Sequence, residues 1–411
     1  MLDQLDIFCV ESGDYSMKKN MKQNLVNLFK YNRTIYSLYY VIFSFTVNLL
    51  SFFVRTDDNL ILFNSFGGRK YDDSPKEIYL NMKNDSRLAG YRFVWAFHEP
   101  EKFDVQGAEI IKTDSLKYFK TALKARVWIT NSSVERGLSF KGKKTFYLNT
   151  WHGTPIKLMG TDISENNGSF KSNQKVSKID VFCSQGKYET DIFSRSFNIE
   201  RERILECGLP RNDILSTYTE EERKIIRKKL GIEANQRVVL YCPTYREYEK
   251  DEHLGVIMAP PIDLNKWDKA FNGNYVLFIR AHYEVSNVMG IKETDSIRNM
   301  SAYPSLNELF IASDMMISDY SSVFFDYSIT GKPMLHFCYD YDTYSSKRGM
   351  YFDIREWING SDNEDDLLKK ILHISETDLK RTEEFRAHFV NFYGNAASQC
   401  VDCIAKEIIG D

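Results

Sequence analysis

The sequence predicts an α/β protein: two Rossmann-like domains facing across a cleft, preceded by an amphipathic, membrane-associating helical segment. Three observations carry this prediction. From residue 59 onward, short apolar runs rich in β-formers alternate with polar stretches of helical length. Those runs are nearly continuous rather than alternating, as in parallel strands covered on both faces. The series breaks near residue 215 and then starts again. The 411 residues, 43% of them hydrophobic and with 28 Phe and 25 Tyr, suffice for two aromatic-rich cores. The expected organisation is residues 1–58 as the amino-terminal segment, 59–215 as the first domain and 216–411 as the second. The carboxyl-terminal helix is expected to pack back on the first domain.

Residues 34–54, TIYSLYYVIFSFTVNLLSFFV, carry no charge and just reach the length of a bilayer span. Ser37, Ser44, Asn48 and Ser51 recur at intervals of 7, 4 and 3 and form one polar stripe on a helix. Tyr, Phe, Leu and Ile fill the other face. Lys18, Lys19, Lys22, Lys30 and Arg33 lie upstream, and Arg55 follows. An apolar face flanked by cations suits a helix lying in the surface of an anionic leaflet. A true span and a helix packed on the protein body are the alternatives. Acidic residues come early and no small-residue cleavage pattern follows an apolar run, so no signal peptide is expected.

In the first domain, LILFNSF (60–66), RFVWAF (92–97), ARVWIT (125–130), KTFYLNT (144–150) and DVFCS (180–184) read as strands. After GLPRND (208–213) comes a charged helix, TEEERKIIRKKLG. The second series is RVVLYCP (237–243), NYVLFIRA (274–281), DMMISD (314–319) and PMLHFC (333–338).

The bulk numbers exclude some functions. A net charge of −3 gives no pull toward nucleic acid. The seven cysteines are scattered. Cys400 and Cys403 form one C-x-x-C without a second ligand pair, which fits buried thiols in a reducing compartment better than zinc. DYD (340–342) reads as a chance triplet and SDNEDD (361–366) as a solvated loop, so neither a metal nor a cofactor is expected. No Walker loop, G-x-S-x-G or kinase signature is present.

Open parallel sheets bind ligands beyond the carboxyl ends of their strands. His152 follows FYLNT, Thr244 and Arg246 follow VVLYCP, Arg280 and His282 end YVLFIRAH, and Asp319, Ser321 and Ser322 follow MMIS. The stretch ISDYSSVFFDYS (317–328) reads as strand, tight turn and helix start, with Asp319 or Ser321 as the N-cap. Free N–H groups there, with the Ser321 and Ser322 hydroxyls, make an anion site; a plain capping serine is the alternative. Arg280 and His282 would add positive charge and donors. In NTWHGTPIKLMG (149–160), His152 has a loop position, Gly153 for close approach, Thr154 beside it and Lys157 nearby. Read from those neighbours alone, His152 is either a packing residue or a general base.

Seven segments in order resemble the CDP-glycerol glycerophosphotransferases that build teichoic acids and related capsular polymers. They are NSFGGRKYDDSPKEIY (64–79), NTWHGTPIKLMG, GLPRNDIL (208–215), YCPTYRE (241–247), IRAHYE (279–284), ISDYSSVFFDYSITGKP (317–333) and YDTYSSKRGMYFD (341–353). The resemblance spans about residues 59–400, and the amino-terminal segment is similar to the family's membrane-associating region. It implies a GT-B-like fold and a bacterial enzyme of cell-wall or capsule synthesis on the cytoplasmic face of the membrane. A hydroxyl of a lipid-linked glycan or polyol-phosphate acceptor would attack the β-phosphorus of CDP-glycerol, and CMP would leave.

Carried over by motif, His152 becomes the base, on the acceptor side with Gly153, Thr154 and Lys157. His282 joins Thr244, Arg246, Arg280, Asp319, Ser321 and Ser322 around the donor. CDP-ribitol users share these motifs, and 411 residues leave no room for an additional glycosyltransferase domain. Other readings are a sugar-transferring GT-B enzyme and a non-catalytic scaffold for a CDP-alditol or lipid-linked glycan.

Overall fold

The computed structural model describes residues 32–163, 178–244, 246, 260–281 and 289–410. The cations at 18–30 and His282 lie outside them. The first sheet contains β1 (Asp57–Asn64), β2 (Arg92–Phe97), β3 (Ala108–Lys112), β4 (Ala125–Thr130), β5 (Phe146–Asn149), β6 (Val181–Ser184) and β7 (Ile204–Glu206). Its seven strands run in the order β3-β2-β1-β4-β5-β6-β7. The second contains β8 (Arg237–Cys242), β9 (Tyr275–Ile279), β10 (Ile297–Asn299), β11 (Met315–Ser318), β12 (Met334–Phe337) and β13 (Gly360–Ser361). Its six strands run β10-β9-β8-β11-β12-β13. Ladder pairs in both sheets are parallel.

Every strand read from the apolar runs is present. The additional strands β3, β7, β10 and β13 are short and lie toward the sheet edges. Edge strands have fewer buried faces and therefore shorter apolar signatures; β3, AEIIK, buries only Ile111. Strand order reverses direction between β1 and β4 and again between β8 and β11. A doubly wound sheet opens a crevice at such switch points.

Four helices matter for the site: α1 (Arg33–Ser51), α2 (Asp73–Lys83), α3 (Val323–Ser328) and α4 (Ala396–Ile409). The last belongs by sequence to the second half, yet it finishes the core of the first sheet. Ala396, Cys400, Val401 and Ile404 pack with Ile61, Phe63, Trp95 and Leu148. Burying a Val or Ile side chain contributes about 1.5–3 kcal/mol, which fastens the chain end there. Asp213 accepts from the amides of Gly394, Ala396 and Ala397 at 3.1, 2.9 and 2.8 Å and so holds the start of α4.

Helix α1 begins at Asn32, whose side chain accepts from the Thr34 and Ile35 amides. The helix lies on the first domain through its polar stripe. Ser44 Oγ accepts from Ser139 N–H at 3.1 Å, and Asn48 Nδ2 donates to Ser139 O at 2.7 Å. Val47 is buried, with Tyr39, Phe43 and Leu50 packed against the same core. The opposite face is an apolar ridge: Leu38 is 60% exposed, Phe45 68% and Phe52 84%, with Val41, Ile42 and Leu49 between them. Residues 34–51 are long and apolar enough to cross a membrane by length and composition.

Candidate active site

The acceptor-side half is the turn after β5. Asn149 Oδ1 accepts from Trp151 N–H at 2.8 Å, and Thr150 N–H donates to Thr130 O at 2.9 Å. Trp151 takes a left-handed φ of 54° and stacks on the His152 ring, with 4.2 Å between centroids. His152 Nδ1 lies 2.6 Å from the Asn131 carbonyl oxygen. A carbonyl oxygen only accepts, so Nδ1 carries the hydrogen and Nε2 keeps its lone pair. Asn131 follows β4, and its Oδ1 accepts from Phe66 N–H, just after β1, at 2.7 Å. The first switch point thereby holds the histidine.

Desolvation by the surrounding protein lowers the His152 pKa. The Asn131 bond and Asp73 oppose that, and Arg211 adds to it. His152 as a residue is exposed to solvent. The lowered basicity favours the neutral imidazole at pH 7.

The donor-side half lies after β8 and β11. Asp319 is fully buried. It accepts from Thr244 N–H at 2.9 Å, Tyr320 N–H at 2.7 Å and Arg246 Nη1 at 2.9 Å. Arg246 is only 1% exposed, holds Asp340 through Nε and Nη2 at 2.8 and 2.9 Å, and lies 5.0 Å from each of the Tyr320, Tyr339 and Tyr344 rings. The pair therefore ties β8 to β11 and shapes the turn from inside. Asp319 does not cap α3. Ser322 holds the N-cap position without a side-chain cap bond, and Ser321 Oγ accepts from Val323 N–H at 3.4 Å. The carboxylate is turned back toward β8, which leaves the half-buried serines at the helix start. Thr244 Oγ1 has no partner among the described residues. Arg280 is half-buried and donates to Met300 O at 3.0 Å.

The two halves touch. A Cβ on Gly153 would lie 2.8 Å from Ser322 Oγ. The strip after Gly153 is laced to the second domain: Tyr351 N–H donates to Ile156 O at 3.0 Å and Leu158 N–H to Gly349 O at 3.1 Å. Lys157 sits on this seam, bridged to Met350 and 5.4 Å from the Tyr344 ring. Thr154 is buried, and its Oγ1 accepts from Gln185 Nε2 at 2.8 Å. The structure thus brings His152, Gly153 and Ser322 together, whereas Thr154, Arg246 and Asp319 support them from behind.

Reading the sequence missed a cluster under this contact. Arg211 Nη1 lies 2.8 Å from Asp73, and Nη2 lies 2.9 Å from Asp326. Asn212 Nδ2 donates to Asp326 at 2.6 Å. Both GLPRND and YDDSPKEIY carry part of it, but nothing local in either segment announces the pairing. The thiols also meet differently from the C-x-x-C reading. Cys400 Sγ lies 3.6 Å from Cys183 and 3.9 Å from Cys207, all three buried in the first core.

A family model described as CDP-glycerol:poly(glycerophosphate) glycerophosphotransferase matches residues 18–406. The chain belongs to this family. It is 33% identical over 367 residues to the teichoic acid poly(glycerol phosphate) polymerase of Staphylococcus epidermidis, covering 85% of this chain and 50% of that one. It is 32% identical over 337 residues to the teichoic acid glycerol-phosphate transferase of Staphylococcus aureus, covering 78% and 85%. The chain thus spans half the length of the first of these relatives and most of the second. A solved structure of the wall teichoic acid polymerase TagF superposes with a TM-score of 0.80 at 30% identity, over 93% of this chain and 98% of that one. Another TagF structure, soaked with CDPG, superposes at 0.79 and 31%. The two-sheet architecture is therefore the GT-B-like fold expected from the sequence.

Proposed function

We propose that the protein is a glycerophosphotransferase that moves glycerol phosphate from CDP-glycerol to a hydroxyl of a lipid-linked acceptor and releases CMP. One observation carries the reading: a histidine with Nε2 free to accept a proton lies beside Gly153, which touches Ser322 at the start of α3. A base from one domain and hydroxyl and amide donors from the other then flank one reacting centre.

The acceptor hydroxyl gives its proton to His152 Nε2 as its oxygen bonds to the β-phosphorus. The bond from that phosphorus to the bridging oxygen breaks, and CMP takes the electron pair. Ser321, Ser322 and the first amides of α3 stabilise charge on the phosphate oxygens, with Arg280 after β9 and His282, two residues further in sequence, contributing. Thr244 completes the donor side, held in place by Asp319 and Arg246. Gly153 and Lys157 border the acceptor. Lowered basicity keeps His152 unprotonated at neutral pH, as a base must be.

The exposed ridge of α1 supports docking on the cytoplasmic membrane leaflet, where a lipid-linked acceptor resides. Its apolar side chains face away from the body, and the cations at 18–30 precede it in sequence.

The test is CMP release with CDP-glycerol and a lipid-linked acceptor, with His152→Gln alongside. Activity in the parent and a loss of about a hundredfold or more in the variant, with CDP affinity retained, are expected. Turnover of CDP-ribitol in place of CDP-glycerol would change the polyol. Turnover of a UDP-sugar alone, or an equally active variant, would overturn the reading.

A further inference from the structure

We propose that Arg211 is a positioning residue that sets the distance between the two half-sites. The inference rests on the reading above, since it concerns how His152 is held against the donor side. Arg211 lies in the Pro210–Asn212 turn, where the chain leaves the first sheet. Its side chain is 13% exposed and those of its partners Asp73 and Asp326 are 7% and 5% exposed.

Each partner belongs to a different half. Asp73 opens α2 of the first domain with a φ of 67°, and its carboxylate also accepts from Ser74 N–H at 2.7 Å. An Asp rarely holds a left-handed φ unless its side chain is engaged. Asp326 lies in α3 four residues after Ser322 and therefore on the same helix face. Arg211 takes both oxygens of Asp326 through Nη2, at 3.1 and 2.9 Å, and one oxygen of Asp73 through Nη1. Ser74 Oγ, beside Asp73, accepts from Arg211 N–H at 3.3 Å. Pinning Asp326 pins Ser322, and pinning Asp73 pins the first domain to the same guanidinium.

Two buried carboxylates without the cation repel each other across the domain boundary, and no water-filled space is needed for that force to act. The planar fork of arginine fits three oxygens at fixed angles, which an ammonium cannot reproduce. The same charges face the base. The charged groups bearing on His152 are Asp73, which raises its pKa, and Arg211, which lowers it; the remaining polar partner is the Asn131 carbonyl. Losing Arg211 removes the lowering charge and leaves Asp73 unopposed, so both changes raise the histidine pKa.

The experiment compares Arg211→Lys and Arg211→Gln with the parent and with His152→Gln, each at matched folded fraction. Expected for both Arg211 variants are unchanged calorimetric affinity for CDP and a turnover number about ten- to a hundredfold lower, and for Arg211→Gln an acidic limb of the pH–rate profile displaced to higher pH. Lysine, which keeps the charge, should restore the limb more than the rate. Because Arg211→Gln leaves two carboxylates without their cation, the triple variant Arg211→Gln, Asp73→Asn, Asp326→Asn is made in parallel. It removes the repulsion and should still turn over slowly. Normal turnover per folded molecule in any of these variants overturns the positioning role, as does a fall in stability with turnover and pH limb unmoved. If His152→Gln is itself active, the proposed base fails instead, independently of Arg211.

Discussion

Gly153→Ala adds a single methyl group at the point where the two domains meet. The backbone there is not in the left-handed region, so alanine brings no conformational strain of its own. The new Cβ would lie 2.8 Å from Ser322 Oγ and 3.2 Å from Ser322 Cβ. Carbon contacts are optimal near 3.5–4.0 Å, so the pair must open by roughly 0.6 Å or more, or Ser322 must rotate. Neither neighbour is a loose chain end: α3 is tied through Asp326 to Arg211, and the His152 turn to Asn131. Misplacing reacting groups by about 1 Å is enough to lose about a hundredfold in rate. Turnover is therefore expected to fall about ten- to a hundredfold in a CMP-release assay. Thermal stability should fall by no more than the 1–3 kcal/mol typical of overpacking. Removing Oγ in Gly153→Ala with Ser322→Ala relieves the tighter clash but not the 3.2 Å one, so thermal stability should recover in part relative to Gly153→Ala, while turnover stays low because a phosphate donor is lost as well. A fully active Gly153→Ala would refute the argument that this contact sets the reacting geometry.

Changing Leu38, Phe45 and Phe52 together to Ser should weaken liposome flotation at least about tenfold while leaving the melting temperature near that of the parent, because all three side chains face outward; unchanged flotation places the membrane contact elsewhere. His336 is buried with its pKa lowered to about 4 by desolvation. Its unfolded form binds a proton below about 6.5, so stability should drop by roughly 3 kcal/mol as pH falls from 6.5 to 4. His336→Asn should flatten that slope in urea titrations, and an unaltered slope counts against it. Buried Glu189 has the opposite sense. Desolvation raises its pKa from 4.5 to about 7, so the folded state keeps a proton that the unfolded state has lost. Stability should fall by roughly 3 kcal/mol between pH 4.5 and 7, and Glu189→Gln should remove that fall.

The central strands were readable because their signal is local. Runs such as LILF, VVLY and YVLF are apolar on both faces, and parallel strands under helices demand that. Strands such as Ile297–Asn299 and Gly360–Ser361 have no comparable run, since pairing at a sheet edge needs less burial. His152 could be singled out from its position after a strand and its glycine neighbour. Its tautomer could not, because that depends on the carbonyl of Asn131, 21 residues earlier. Arg246 illustrates the converse. An arginine after a strand reads as a ligand for phosphate, but Asp319 and Asp340, 73 and 94 residues away, enclose it.

By itself the sequence determined the α/β class, the parallel central strands, the apolar and polar faces of residues 34–54 and the family. All of these rest on residue types at short spacing. Tertiary structure alone decided which face of α1 meets the body, because Ser139 supplies the partners of Ser44 and Asn48. It alone brought Gly153 against Ser322. It alone gathered Asp73 and Asp326 around Arg211 across 138 and 115 residues. Hydrogen bonds and ion pairs of this kind act over a few ångströms, and only the folded path of the chain says which residues come that close.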